Sequence, residues 1–269
     1  MKFNDRLNEL ILSKKSFLCV GLDPDMDKIP SILHSEKNPL KKFTEEIING
    51  TKQYAVAFKA NLAFFECEGI KGLEALESLK ENIPEDVILI LDGKRGDIGN
   101  TANKYANSAF DLLKADAVTV NPYMGFDAIK PFIENEEKGA FVLGLTSNKS
   151  ASDFQYLQIG EETLYKNVCK KVNQWNTNNN CGLVVGATKP QELAEIREKF
   201  PSLPFLVPGV GAQGGNLETV IKNGKDSNGA GLLINVGRDI MFSSKGNDFA
   251  EKAAERAQYY FGEMLQNTN

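Results

Sequence analysis

Short apolar runs alternate with amphipathic stretches along the whole chain. The runs fall at residues 17–22, 55–60, 87–91, 117–120, 140–145, 182–185, 205–207 and 232–236. Each is too short for a helix of ordinary length and reads as a buried strand. Between them apolar residues recur at helical spacing, over 43–54, 70–79, 102–113, 126–133, 164–175, 193–200 and 217–221, and finally over 249–264. One more amphipathic helix is expected ahead of the first strand, where Phe3, Leu7, Leu10 and Ile11 share a face within residues 1–15.

Strands in strict alternation with helices imply a parallel sheet. Eight such units in a chain of this size fit an α/β fold of the closed (β/α)8 type, the TIM barrel. Residues 1–269 would then form a single barrel domain with an N-terminal helix. An open, doubly wound sheet is the alternative. The barrel gains support from polar residues placed just after the strands: Asp23, Lys59, Asn61, Asp92, Lys94, Ser147, Gln213 and Arg238. Closing the sheet would gather all of them at one mouth. The Asn-rich segment 176–180 reads as a helix-ending surface loop.

Composition narrows the chemistry. The formal net charge of -5 gives no electrostatic case for nucleic-acid binding. No stretch approaches the roughly 20 apolar residues of a membrane span, and residues 1–15 lack the continuous apolar core of a signal peptide. No membrane partner is expected, and the cytoplasm is the expected location. The four cysteines, Cys19, Cys67, Cys169 and Cys181, form no C-x-x-C pair. They read as buried free thiols in a reducing compartment. The single histidine, His34, sits in a polar stretch and reads as a solvated loop residue. One His without nearby cysteines argues against most zinc sites.

The most informative segment is Asp92-Gly93-Lys94-Arg95-Gly96-Asp97, a D-x-K-x-x-D spacing at the end of the third apolar run. Alternation along a strand points Asp92 and Lys94 the same way. Asp97 falls where the next helix should begin, and Lys59 ends the second run in similar fashion. Two carboxylates between two ammonium groups would hold each other ionised, stabilise developing negative charge and deliver a proton. The plainer reading is a structural ion-pair lattice with Asp97 as a helix cap. A second constellation is Gly209, Gly211 and Gly214 after the seventh strand, with Gly237-Arg238 after the eighth. Barrels often bind phosphate in these two loops. A tight turn and a surface salt bridge are the plainer readings. Asp23 could accept hydrogen bonds from sugar hydroxyls, and Ser147 could read a polar heterocycle. An Asp-Pro turn and a loop cap compete with those roles.

Taken together, these residues resemble the orotidine 5'-phosphate decarboxylase family over residues 17–242. The segment from Asp92 through Thr101 looks like the family's central motif in its longer bacterial-type version. Lys59 with Asn61, Asp23 with Pro24, and Gln213 with Gly237-Arg238 resemble three further family segments. Gly93 departs from the usual small residue such as Ala, at a position pointing away from the site.

The resemblance implies loss of CO2 from orotidine 5'-monophosphate to give UMP, the last step of de novo pyrimidine synthesis, without metal or organic cofactor. It implies Lys59, Asp92, Lys94 and Asp97 as catalytic residues. Asp23, Thr101, Ser147, Gln213, Gly237 and Arg238 would bind substrate. It also implies a homodimer in which Asp97 and Thr101 reach into the neighbouring subunit's site. Related barrels with the same spacing act on sugar phosphates with Mg2+, but here the second strand offers Lys59 in place of an acid. A Schiff-base aldolase would need a lysine of depressed pKa. A non-catalytic nucleotide-phosphate binder could dispense with the charge cluster.

Overall fold

In the computed structural model, which describes residues 1–211 and 214–267, each of the apolar runs is a strand of one ring. Helix α1 (Phe3–Lys14) leads into β1 (Leu18–Leu22), α2 (Pro39–Thr51), β2 (Ala57–Asn61), α3 (Leu62–Glu66), α4 (Gly69–Glu77), α5 (Leu79–Asn82) and β3 (Ile88–Arg95). Then come α6 (Gly99–Asn107), β4 (Ala117–Val120), α7 (Phe126–Ile133) and β5 (Gly139–Leu145). A two-stranded hairpin of β6 (Gln158–Ile159) and β7 (Glu162–Thr163) precedes α8 (Leu164–Trp175) and β8 (Cys181–Val185). The chain continues through α9 (Pro190–Lys199), β9 (Phe205–Pro208), α10 (Leu217–Gly224) and β10 (Leu232–Val236). It ends in α11 (Arg238–Met241) and α12 (Phe249–Gln266).

The eight long strands are parallel and close in the order β1-β10-β9-β8-β5-β4-β3-β2. The open-sheet alternative is therefore excluded, and the C-terminal strand ends share one mouth. Strand bounds differ from the apolar runs by a few residues. The largest difference is β3, which runs past the apolar stretch to Arg95 and carries Asp92 and Lys94 on the strand itself.

Helical spacing over 70–79 resolves into α4 and α5, with Ser78 at the break and its hydroxyl donating to the Ala75 carbonyl. The periodicity over 102–113 is α6 followed by a single π-helical turn at Ser108–Leu112. The 146–163 segment has no strong period, and its turn and hairpin had no signal to announce them. The expected surface loop at 176–180 is only partly one. Asn180 is fully buried, and its amide donates to the carbonyls of Ile133, Asn135 and Lys138 at 2.9–3.1 Å. Three cysteines are buried as expected, but Cys67 is exposed at the end of α3. Among the described residues no helix is long and apolar enough to cross a membrane.

The N-terminal end of the barrel is closed by α1, whose Phe3, Leu7 and Ile11 are buried beneath the strands. Gly139 is what lets Phe3 in, because a Cβ there would lie 2.3 Å from the Phe3 ring. Two polar clusters stitch this end. Asp116 accepts from Arg6 at 2.8 Å, Lys80 at 3.0 Å and the Leu89 amide at 2.9 Å. Arg197 is buried over the Phe205 ring and donates to the carbonyls of Gly224, Pro201, Leu203 and Gly231 at 2.7–3.0 Å.

Among the described residues no carboxylate pairs directly with Arg197. Burial pushes its pKa down to about 10, a shift only partly opposed by Asp226. Its planar fork is matched to several carbonyls at once, which lysine cannot reproduce. Arg197→Met would leave those buried acceptors without donors. We expect it to cost at least about 3 kcal/mol in urea unfolding, with Arg197→Lys recovering only part. A loss within about 0.5 kcal/mol, the range of an ordinary surface change, would show that Arg197 does not hold this end together.

Candidate active site

Lys59 leaves β2 at the mouth and buries its ammonium, with the side chain only 5% exposed. Such a charge is tolerated inside a protein only when paired. Here two carboxylates face it: Asp92 Oδ2 at 3.0 Å and Asp23 Oδ1 at 3.8 Å. The register of the barrel makes this possible, since Lys59 lies opposite Gly21 on one side and Ile90 on the other. Burial alone would push the Lys59 pKa down, but the charges of Asp23 and Asp92 outweigh it and raise it above the usual value.

Asp92 is the centre of the network. Its Oδ1 accepts from Lys94 Nζ at 2.7 Å and from the Thr119 hydroxyl at 2.8 Å, while Oδ2 takes Lys59. Burial would raise its pKa, yet the Lys59 and Lys94 charges hold the carboxyl well below the usual carboxylate range. Asp92 is thus a fixed anion between two ammonium groups. Lys94 is the outer member, half-exposed at the mouth.

Asp92 and Lys94 do converge as expected, but not by simple alternation. Ladder pairing jumps from Leu91 opposite Val118 to Arg95 opposite Val120, so Asp92, Gly93 and Lys94 together face Thr119. Lys94 sits in the left-handed region with φ 44°. That conformation costs roughly 1–2 kcal/mol for a residue with a Cβ. The Lys94 N–H, released from the ladder, donates to the Thr119 hydroxyl at 2.9 Å. Thr119 is 1% exposed and was missed by the sequence reading. Its only signal was a hydroxyl within the apolar run beside the charged strand. Gly93 does point away from the site: a Cβ there would meet Leu62 Cδ1 at 2.7 Å, so an alanine would require Leu62 to shift.

The expected group of Lys59, Asp92, Lys94 and Asp97 does not assemble within one chain. Asp23 supplies the second carboxylate. Asp97 lies beyond the bulge, accepts a hydrogen bond from the Ile98 amide at 2.8 Å, and forms no ion pair among the described residues. It is not a helix cap either, because Ile98 takes the N-cap position of α6. Thr101 is exposed on α6. Large apolar side chains in the segments after β3 and β4 face outward, including Ile98 and Tyr123, the latter 85% exposed.

At the opposite side of the mouth, Asp23, Gly209, Asn235, Gly237 and Arg238 line one cleft. The loop after β9 turns at Gly209, Gly211 and Gly214, all with positive φ. Gly237 is the N-cap residue of the short helix α11, and Arg238 opens that helix. The ends of β1 and β10 touch here, because a Cβ on Gly21 would lie 2.8 Å from Gly237 Cα. The Arg238 side chain is exposed and makes no ion pair among the described residues, so the salt-bridge reading does not hold. Its neighbour Asp239 is the paired one, accepting from Arg256 at 2.7 Å and from the Tyr260 hydroxyl at 2.5 Å.

Ser147 follows β5 and packs against Gly186 at the end of β8, where a Cβ would come within 2.9 Å of it. Gln213 lies outside the described residues. One buried acceptor atom, Asp23 Oδ1, has no hydrogen-bond partner among the described residues. Among the same residues no group of three or more His, Cys, Asp or Glu is placed to hold a metal. The two nearest carboxylates, Asp23 and Asp92, already enclose the Lys59 ammonium.

Comparison with known proteins places this geometry in context. Residues 16–253 match the model of the "Orotidine 5'-phosphate decarboxylase / HUMPS family". The orotidine 5'-phosphate decarboxylase of Christiangramia forsetii is 48% identical over 264 residues, covering 97% of each chain. That of Flavobacterium johnsoniae is also 48% identical, over 265 residues, covering 97% of this chain and 96% of the other. The solved structure of Leishmania donovani OMP decarboxylase superposes with a TM-score of 0.83 at 39% identity, covering 99% of both chains.

The charge state of the network sets a pH signature. Because the Asp92 pKa is depressed in the folded chain, its charge contributes stability in full above the unfolded value of about 3.9 and loses it as pH falls. The raised Lys59 pKa works in reverse, its contribution being lost only above about pH 10.4. The unfolding free energy of the wild type minus that of Asp92→Asn should be flat from about pH 5 to 8 and shrink from about pH 5 to 3. Urea titrations across that range would read it. Shrinkage already between pH 8 and 5 would contradict a clamped carboxylate.

Proposed function

The chain belongs to the orotidine 5'-phosphate decarboxylase family, and from that premise we propose that it converts orotidine 5'-monophosphate to UMP and CO2. The observation that carries the proposal is the fixed Lys59–Asp92–Lys94 array, open to the mouth through Lys94 and sharing that mouth with Arg238, which has no ion-pair partner among the described residues. In the cell this would be the last step of de novo pyrimidine synthesis.

The roles follow from charge and reach. Asp92 cannot move or take up a proton at neutral pH, so a substrate carboxylate seated beside it is repelled. Repulsion of this kind favours departure of CO2. When the C6–carboxylate bond breaks, the electron pair stays on C6 beside the Lys94 ammonium, which stabilises it electrostatically. Lys94 then donates a proton to C6 and is reprotonated from water. Lys59 holds Asp92 and reaches the ribose. Asp23, whose Oδ1 faces Lys59, accepts from a ribose hydroxyl through Oδ2, the oxygen on the Gly237 side of the cleft. Ser147 binds the pyrimidine. Gln213, the Gly237 backbone and Arg238 take the phosphate, Arg238 in bidentate fashion. Binding energy from that remote end can be realised in the transition state.

Asp97 and Thr101 fit this scheme as residues given to a second copy of the chain. Asp97 lacks an ion-pair partner among the described residues of its own chain, and the next residue, Ile98, exposes an apolar side chain. A homodimer would bring Asp97 to a neighbour's Lys94. A Mg2+-dependent sugar-phosphate reaction would instead require Asp23 and Asp92 free of Lys59.

Two experiments test the reading. Ultraviolet absorbance should show orotidine 5'-monophosphate converted to UMP in excess EDTA, with conversion abolished in Lys94→Ala. Arg238→Ala should lower kcat/KM by roughly 10- to 150-fold, the worth of charge-assisted hydrogen bonds; no turnover by folded wild type would reject the activity. Separately, Lys94→Ala and Asp97→Asn should each be inactive alone but regain activity when mixed and allowed to exchange subunits. The mixed dimer would hold one site with both residues intact. Failure of mixing to restore any activity would count against sharing across the interface.

A further inference from the structure

We propose that Thr119 is a positioning residue for the reaction, and that its hydroxyl sets where the Lys94 ammonium sits. The inference rests on the decarboxylase reading above for its kinetic consequence, but not for its structural one.

The bulge in β3 creates a problem that Thr119 solves. Asp92, Gly93 and Lys94 occupy the space opposite one residue of β4, so the ladder offers the Lys94 N–H no backbone acceptor there. Lys94 also adopts the left-handed conformation that residues with a Cβ avoid. A conformation of that kind persists only where the surroundings over-determine it. Thr119 Oγ1 accepts the Lys94 N–H at 2.9 Å and spends its only proton on Asp92 Oδ1 at 2.8 Å. The same Oδ1 takes Lys94 Nζ at 2.7 Å.

A closed loop results: backbone of Lys94 to hydroxyl, hydroxyl to carboxylate, carboxylate to the ammonium of the same lysine. The two ends of the Lys94 residue are tied to Thr119 Oγ1 and Asp92 Oδ1, which are themselves hydrogen-bonded, and the carboxylate is turned so that Oδ2 remains for Lys59. A hydroxyl is the group this position requires. It must accept from an amide and donate to a carboxylate at once, which neither a methyl nor an amine can do.

Thr119→Val keeps the shape and removes both hydrogen bonds; Thr119→Ser keeps the hydroxyl and removes the methyl. Three readouts separate the possibilities: kcat, the Kd for UMP, and crystal structures of the two variants. UMP keeps the phosphate, ribose and base and lacks only the departing carboxylate, so its binding reports on the rest of the cleft. We expect Thr119→Val to lose about 100-fold in kcat, the scale of an ångström-sized misplacement, with the UMP Kd within about twofold. Thr119→Ser should stay within about threefold in both.

Unchanged kcat in Thr119→Val would overturn the proposal. So would equal losses in the Val and Ser variants, or a loss of UMP binding in step with kcat, either of which marks a packing role. If the wild type itself does not decarboxylate, the functional reading fails and the structures decide the positioning role. Lys94 should keep its left-handed backbone and its contact with Asp92 in Thr119→Ser and lose them in Thr119→Val. Retention of both in Thr119→Val would then refute it.

Discussion

Everything at the mouth of this barrel depends on burying one ammonium group. Lys59 is almost completely removed from water, and only carboxylates from the strands on either side make that tolerable. Asp23 follows β1 and Asp92 lies on β3, so the pairing exists only because β2 sits between them in the closed ring. An ion pair this deep is weak support for overall stability, since desolvation offsets much of its Coulomb gain. What it provides is a carboxylate whose charge and orientation do not vary. Lys94 is then added from the solvent side, where an ammonium group keeps access to water.

The two ends of the barrel follow different rules. At the N-terminal end, buried charges meet several backbone and side-chain partners each, as Arg197 and Asp116 do. These arrangements close the bottom and join α1, α5 and the loop after α9 to the strands. That end is not free of unsatisfied or strained groups, since Asn4 Oδ1 and Asn180 Oδ1 lack hydrogen-bond partners among the described residues and Lys15, Lys114 and Asn179 have positive φ, but the C-terminal end has its own around the charged residues. Asp23 retains a buried oxygen without a hydrogen-bond partner, Arg238 has no counter-ion among the described residues, and Lys94 is held in a strained backbone. The division matches the general behaviour of such barrels, whose loops at the C-terminal face carry function while the opposite face carries stability.

How legible the site was in the sequence differs from residue to residue. The D-x-K-x-x-D spacing identified Asp92 and Lys94, and the position of Lys59 at the end of its run placed it with them. Those assignments required only the position of each residue at a strand end; the way Asp92 and Lys94 converge runs through the bulge instead of simple alternation. Thr119 was hidden because one hydroxyl in an apolar run carries no periodic signal. Asp97 was grouped with the cluster from its spacing, but the chain turns away after the bulge and leaves it without an ion-pair partner among the described residues. The role of Asp23 as the second carboxylate against Lys59 was equally out of reach, because it depends on which strands become neighbours.

The same division holds for the whole molecule. The amino-acid pattern by itself determined the eight strands, nearly all the flanking helices and their parallel arrangement, because strands buried on both faces appear as short continuous apolar runs between helix-period stretches. Closure into a barrel instead of an open sheet was decided by the pairing of β1 with both β2 and β10. The pattern also determined which residues would gather at one mouth, since strand ends in a parallel ring all face one way. Only the tertiary structure decided the bulge at Asp92–Lys94, the left-handed backbone of Lys94, the burial of Asn180 and the exposure of Cys67. Each of these depends on which backbone groups find partners across the sheet or between neighbouring loops. That is a matter of contacts between distant segments, and hydrophobic periodicity along a single segment does not record it.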